Sequence, residues 1–475
     1  MNTPAPADAL AFSHLPLDPA QQANLAQLGY QRMTPVQAAS LPAALSGRDL
    51  IVQAPTGSGK TAAFGLSLLH RLDPALWQVQ ALVLCPTREL ADQVCEELRR
   101  LARAVGNLKI LSLCGGATMR PQRESLAHGA HVAVGTPGRL LDHLERGSLD
   151  LSSLATLVFD EADRMLDMGF MDDMVTLVRQ CPPKRQTLLF SATFPEGIDK
   201  LAARFLREPQ RITVAQAAPA AAQAEGAIRQ VAFEVAETER LHAVSTLLAH
   251  YRPASAIAFC NTKQQCRDLV DVLTAQGIVA LALHGDLEQR ERDQVLIRFA
   301  NRSVSVLVAT DVAARGLDID KLEAVVNVDV TPDAEVHVHR IGRTGRAGQD
   351  GLALSLVSMD EMGRIGRIEL LQGQPLEWLK LSELKPAAGG PLRPAMATLQ
   401  ILGGRKEKIR PGDVLGALTG DAGFAGTQIG KIKVTDFHTY VAVDAAIADE
   451  AVRRLSAGQL KGRKVKLRRL DDVVR

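Results

Sequence analysis

The run Ala54-Pro55-Thr56-Gly57-Ser58-Gly59-Lys60-Thr61 lies between a short apolar stretch at residues 50–53 and a helical pattern of Ala, Phe and Leu. In that setting glycines let backbone N–H groups turn toward phosphate oxygens, Lys60 reaches the β and γ phosphates, and the Thr61 hydroxyl can ligate magnesium. Thr56, Gly57, Ser58, Gly59, Lys60 and Thr61 are therefore candidate nucleotide-binding residues, with Ala54 where the usual pattern has its first glycine. An ordinary Gly-rich turn has the same composition. Asp160 follows the apolar run 157–159, so its carboxylate emerges at the end of a buried strand, where it can hold hydrated magnesium. Glu161 beside it can orient or deprotonate a water that attacks the γ phosphate. Adjacent acids at a strand end also occur as solvated turn residues, and it is the conjunction with Lys60 that gives the pair weight. In the string HRIGRTGR (residues 339–346), Arg343 and Arg346 suit stabilisation of charge on transferred phosphoryl oxygens, although a basic surface helix start has the same spacing.

These residues need strands and helices to hold them. Apolar runs at 50–53, 81–85, 157–159 and 187–190, and again at 256–260, 304–308, 324–328 and 353–357, alternate with longer helical patterns. Strands apolar on both faces predict parallel sheets covered by helices, hence two doubly wound α/β domains, at residues 1–214 and 227–384. The low-complexity string AQAAPAAAQAEG (215–226) separates them, and a Pro/Gly-rich break at 385–397 precedes a third segment, 398–475. That segment reads strand 398–402, helix 413–418, strands 431–434 and 439–443, helix 446–455 and strand 464–467. This βαββαβ order is that of the α+β ferredoxin-like fold, which includes RNA-recognition domains.

A length of 475 residues accommodates three domains of ordinary size. The composition, 46% hydrophobic and 23% charged, carries neither disordered nor membrane bias. No apolar run approaches the roughly 20 residues of a spanning helix, and residues 1–10 lack a basic start followed by an apolar core, so a cytoplasmic location without membrane association is expected. Six scattered cysteines without a CxxC pair are expected as buried free thiols. The net charge of +2 conceals an asymmetry: residues 398–475 hold 15 Lys plus Arg against 9 Asp plus Glu, the preceding 397 residues 40 against 44. Residues 453–469 carry 8 basic side chains and no acidic one, and among them Lys461, Arg463, Lys464, Lys466 and Arg468 suit a phosphate backbone, or equally a solvated basic face.

The motifs together resemble those of the DEAD-box RNA helicases over nearly the whole chain. GYQRMTPVQ (29–37), APTGSGKT (54–61), PTREL (86–90), TPGR (136–139), DEAD (160–163), SAT (191–193), FCNT (259–262), ATDVAARGLD (309–318) and HRIGRTGR follow the family's order. The resemblance implies two tandem RecA-like domains, ATP and Mg2+ as ligands, RNA as partner, and a working monomer. It implies that Tyr30 stacks on adenine, Gln37 hydrogen-bonds its edge, Phe12 supports Gln37, Asp318 contacts the ribose, and Ser191 with Thr193 links the acids to RNA binding. Arg88, Gly116, Thr136 and Arg139, with Asn261, Gln289, Arg292 and Thr310, match positions that touch the RNA backbone. Such contacts position a strand without reading its sequence.

The string IRPGDVLGALTG (409–420) followed by IGKI (429–432) resembles the RNA-binding module of the bacterial DbpA helicases, with Ile409 replacing that string's methionine. This implies recognition of a hairpin of 23S ribosomal RNA and work on large-subunit assembly intermediates. The third strand offers Tyr440 without the usual aromatic set and the first strand offers none, so weak stacking on the sheet is expected and the basic run is the expected anchor. Tyr440 suits the core equally well. A rival reading is an ATP-gated RNA clamp or scaffold that scarcely hydrolyses; Lys60, Glu161, Arg343 and Arg346 argue against it. A DNA helicase is a second rival.

Overall fold

The structure, a computed structural model, describes residues 11–55, 57–194, 196–214, 228–314, 322–345, 350–390 and 392–470. Thr56, Asp318, Arg346 and the segment 215–226 lie outside these residues.

The first unit is built on β1 (Leu50–Gln53), β2 (Ala81–Leu84), β3 (Ile110–Leu113), β4 (Val132–Gly135), β5 (Thr156–Phe159), β6 (Gln186–Ser191) and β7 (Gln210–Thr213). They form one seven-stranded sheet in the order β3-β4-β2-β5-β6-β1-β7, with every neighbouring pair parallel. Side chains alternate across it, as a pleated strand requires. Leu50, Val52, Val83, Val158, Leu188 and Phe190 pack on one face with Phe64, whereas Ile51, Leu82, Leu84, Leu157, Phe159 and Leu189 pack on the other with Met165 and Leu177. Phe64 meets Phe190 edge-on at 5.4 Å.

The second unit repeats this plan with β8 (Ile228–Glu234), β9 (Ala256–Cys260), β10 (Ala280–Leu283), β11 (Val306–Thr310), β12 (Ala324–Asn327), β13 (Gly351–Val357) and β14 (Glu377–Leu379), in the order β10-β11-β9-β12-β13-β8-β14, again all parallel. The same unit contains a four-stranded antiparallel sheet of β15 (Met396–Leu402), β16 (Ile429–Val434), β17 (His438–Asp444) and β18 (Leu467–Arg469), ordered β16-β17-β15-β18. Its core is its own: Leu399, Ile401, Val441 and Val443 meet Val414, Leu418 and Leu455.

Every strand expected from an apolar run is present, most of them shifted by one or two residues. The last strand starts at Leu467 rather than 464, because Lys464 and Lys466 have no apolar layer to join. The break at 385–397 is not a loose spacer. Lys385 O accepts from His250 at 2.8 Å, Ala387 N donates to Ala249 O at 3.0 Å, and Arg252 NH1 donates to Gly390 O at 2.6 Å. Leu392 is buried in the core of the second parallel sheet, so the segment is a strap laid along the helix Arg240–Tyr251. Proline and glycine deny it a helix or strand but not hydrogen bonds to a neighbour.

All six cysteines are buried and free, as expected. Among the described residues no helix is long and apolar enough to cross a membrane.

Gly135 ends β4 where a Cβ would sit 2.3 Å from Leu113 O and 3.1 Å from the Leu140 side chain. Gly135→Ala is expected to cost about 2–3 kcal/mol, read by circular dichroism as a thermal midpoint lower by roughly 5–10 °C; an unchanged midpoint would show that the β3–β4 edge yields freely.

Candidate functional site

The carboxyl ends of the first sheet carry its chemistry. After β1 the chain turns through Gly57 and Gly59, both left-handed at φ 80° and 92°, into the helix Lys60–His70. A Cβ at Gly59 would lie 2.5 Å from Gln37 Nε2. Gln37 is buried and tied to backbone at both amide atoms: its Nε2 donates to Gly59 O at 3.1 Å and its Oε1 accepts from Thr34 N at 2.9 Å. It thereby ties the cap of the helix Pro35–Leu45 to the phosphate-type loop. Lys60 is buried and donates to Ala54 O at 3.0 Å. Tyr30 donates through its hydroxyl to Glu97, and Phe12 packs edge-on against the Tyr30 ring at 6.0 Å. Phe12 therefore braces Tyr30.

Asp160 and Glu161 follow β5 and are both buried. Asp160 Oδ1 has no hydrogen-bond partner. Burial and then the neighbouring Glu161 push the Asp160 carboxyl up to about 7, with Lys60 pulling it back. Glu161 holds a left-handed backbone at φ 53° and ψ 52°, a conformation that disfavours a side chain, and Arg164 NH1 lies 2.8 Å from its Oε2. Asp163 has the opposite fate. Burial pushes it up, but Thr193, donating to Oδ2 from N at 2.8 Å and from Oγ1 at 2.9 Å, together with Lys60 and Arg164 outweighs burial, so the carboxyl stays below its ordinary value. Ser191 Oγ accepts from Asp163 N at 3.3 Å and donates to Thr193 O at 2.7 Å. Ser191 and Thr193 are thus both hydrogen-bonded to Asp163.

An unpartnered buried carboxylate oxygen near a lysine, with Thr61 at the start of the adjacent helix, fits a hard dication. Among the described residues no cluster of three or more His, Cys, Asp or Glu could hold a metal ion alone. Magnesium here would share its shell with phosphate oxygens and water.

Arg88, Gly116, Thr136 and Arg139 follow β2, β3 and β4 in the same unit. Arg88 opens the helix Arg88–Leu101 and Thr136 precedes the helix Pro137–Glu145 without making a side-chain cap bond. Arg139 NH1 reaches Ala117 O at 3.0 Å and Gln122 Oε1 at 3.1 Å, fixing the loop that carries left-handed Gly116.

In the second unit Asn261 follows β9, Thr310 ends β11, and Gln289 opens the helix Gln289–Ala300. Arg292 NH2 donates to Ala313 O at 2.7 Å. Arg343 is buried just beyond the helix Ala334–Ile341. The organising residue of this cluster is Arg340, which was not among the expected site residues. It donates to both Asp311 oxygens at 2.7 Å and to Asp329 O at 2.7 Å, reaches Asn261 Oδ1 at 3.4 Å, and lies over the Phe259 ring. Its membership of HRIGRTGR was the available signal. In the third sheet Lys461 Nζ donates to Lys408 O at 2.7 Å and Arg468 Nε to Gln400 Oε1 at 2.9 Å, while Arg463, Lys464 and Lys466 are exposed.

Three family models match the chain: the DEAD/DEAH box helicase over residues 34–201, the helicase conserved C-terminal domain over 239–348, and the DbpA RNA binding domain over 398–469. The chain is similar to the ATP-dependent RNA helicase DbpA of Escherichia coli, 54% identical across 97% of this chain and 99% of that protein. It is also similar to the ATP-dependent RNA helicase CshA of Listeria monocytogenes, 44% identical across 70% of this chain and 63% of that one. Among solved structures, Saccharomyces cerevisiae Dbp5 bound to RNA and ADP BeF3 matches with a TM-score of 0.71 and 30% identity, covering 78% of this chain and 96% of that one.

A carboxyl whose pKa is raised by folding stabilises the fold while protonated. That contribution is complete below the ordinary carboxylate pKa and is lost as pH rises through about 7. Without nucleotide or magnesium, Asp160→Asn is therefore expected to raise the thermal midpoint by about 5 °C at pH 8 and to leave it unchanged at pH 4; equal shifts at both pH values would remove the titration argument.

Proposed function

We propose that this chain, which belongs to the DEAD-box ATP-dependent RNA helicases of the DbpA type and is an RNA-dependent ATPase, directs its hydrolysis to local remodelling of 23S ribosomal RNA during assembly of the large ribosomal subunit. One observation carries the proposal: a basic ferredoxin-like module that matches the DbpA RNA binding domain shares a compact unit with the second parallel sheet.

In this reading Lys60 and the loop of Thr56, Gly57, Ser58 and Gly59 receive the phosphates of ATP, Tyr30 backed by Phe12 takes the adenine, and Asp318 takes the ribose. Gln37 uses its remaining hydrogen-bonding capacity on the adenine edge. Asp160 and Thr61 would hold Mg2+, largely through water, and the ion would supply charge neutralisation at the β and γ phosphates. Glu161 orients and deprotonates the attacking water. Arg343 and Arg346, from the other unit, complete the charge stabilisation, so hydrolysis depends on the two α/β domains closing on ATP and RNA together. The RNA backbone runs along Arg88, Gly116, Thr136 and Arg139 and along Asn261, Gln289, Arg292 and Thr310. The enzyme works as a cytoplasmic monomer.

The deciding measurement is ATPase rate against concentration of a 23S ribosomal RNA transcript and of an unrelated structured RNA. The 23S transcript is expected to half-saturate at roughly tenfold lower concentration, and deletion of residues 398–475 is expected to abolish that preference. Glu161→Gln should lower the saturated rate by about 100-fold or more. Equal response to both RNAs would refute the substrate assignment, and an unaffected Glu161→Gln rate would refute the assigned base.

A further inference from the structure

RNA-recognition folds that read bases on their sheet need that face open. Here it is closed. Along β15, Leu399 and Ile401 point into the module's core, which leaves Thr398 and Gln400 on the outer face, yet these are only 0% and 1% exposed. What covers Thr398 is the second parallel-sheet domain: Asn301 Nδ2 donates to Thr398 Oγ1 at 3.2 Å, and Ser303 Oγ lies 2.7 Å from the same atom. Tyr440, also on this face, is buried, and its hydroxyl accepts from Gln400 Nε2 at 3.2 Å. Arg290 and Asp293 of the helix Gln289–Ala300 act electrostatically on its hydroxyl. With the strap at residues 385–390 bound to the same domain, the module is held at both its entry and its face.

The loop end of the sheet is built differently. Leu402 ends β15, Val434 and His438 bracket the β16–β17 turn, and Leu467 starts β18, so three loops meet at one edge. Arg405 N donates to Thr435 O at 2.9 Å and Lys406 N to Asp436 O at 3.1 Å, which fastens the first loop to the hairpin. Phe437 at the hairpin tip is 57% exposed, and Lys406 Nζ stands 4.2 Å from its ring centroid. Lys408 and Lys461 both hold left-handed backbones, at φ 61° and 53°, positions where glycine would be unstrained. Lys461 bridges them, donating to Lys408 O at 2.7 Å and pairing with Asp413 at 3.0 Å. A cation held over an exposed aromatic ring, with two further lysines kept at left-handed positions on loops at the same end of the sheet, marks a surface open to a ligand.

We propose that the module takes RNA at this loop end, an unpaired base stacking on Phe437 and phosphates meeting Lys406 and Lys408 on loops that Lys461 ties together, while its sheet face remains committed to the second helicase domain. The assignment rests on the reading of the module as the 23S-directed anchor and names the residues that do the anchoring. An aromatic stack and a cation beside it are the parts of a sequence-tolerant single-strand site.

The test uses the full chain and the RNA concentration that half-saturates ATPase with a 23S ribosomal RNA transcript. Phe437→Ala and Lys406→Ala are each expected to raise it about tenfold. Ser303→Cys with Thr398→Cys, oxidised to a disulfide, locks the face shut and is expected to leave it within about twofold of the reduced protein. A tenfold rise on oxidation, reversed by reductant, would mean that the sheet face binds RNA after undocking and would overturn the proposal. If Phe437→Ala and Lys406→Ala change nothing while deletion of residues 398–475 does, the loop-end assignment fails and the 23S reading stands. If the deletion too changes nothing, both fall.

Discussion

A parallel sheet that is apolar on both faces can hold charged groups only beyond the carboxyl ends of its strands. The two large sheets obey this without exception at the sites that matter. Lys60, Arg88, Thr136, Asp160 and Ser191 stand at or just past the ends of their strands, as do Asn261 and Thr310 in the second sheet. The severest case is the end of β5, where two adjacent acids are drawn into a buried position with one carboxylate oxygen unpartnered. Burying like charges side by side opposes folding, and the chain accepts it because the strand, anchored by Leu157, Val158 and Phe159, leaves Asp160 nowhere else to go.

The surrounding residues divide sharply by whether their hydrogen bonds are already made. Asp163 spends its carboxylate on Thr193 and Arg164, so it joins the ends of β5 and β6. Arg340 does the equivalent work in the second unit, joining Asp311, Asp329 and Asn261. Such saturated groups fix geometry and leave little for a ligand. Asp160 is the contrast, a group whose electrostatic deficit a phosphate-bound cation would relieve, so ligand binding and the relief of strain draw on the same atom. Preorganisation of this kind places the reorganisation in the ligand rather than in the protein.

Most of the architecture was legible because buried parallel strands advertise themselves. LIVQ, ALVL and AIAFC are dense in large or β-branched residues; the six strands not expected are weaker signals, β3 (ILSL) carrying a serine, β4 (VAVG) being a short run ended by glycine, β7 (QRIT) and β8 (IRQVAFE) carrying polar residues, β10 (ALAL) being half alanine and β14 (EWL) spanning three residues. Motif residues next to strands were legible for the same reason. What escaped were contacts made at long sequence separation. Nothing local to Arg340 announces Asp311, and nothing local to Phe437 announces Lys406. The Pro/Gly strap escaped because composition reports which regular structures are excluded, not which neighbour the backbone will find.

That strap alters the logic of the third domain. A module on a free tether raises the local concentration of its RNA over a volume set by the tether's length, and any duplex within reach is a target. A module bonded through Lys385, Gly390 and Thr398 to the second domain has no such volume. It presents one edge in one orientation to the domain that carries Asn261, Gln289 and Thr310. On the proposed reading, RNA held at that edge would determine which neighbouring helix can enter the helicase domains. Selectivity would come from the distance and angle between anchor and duplex, so a rigid connection narrows the choice of substrate in a way that affinity alone cannot.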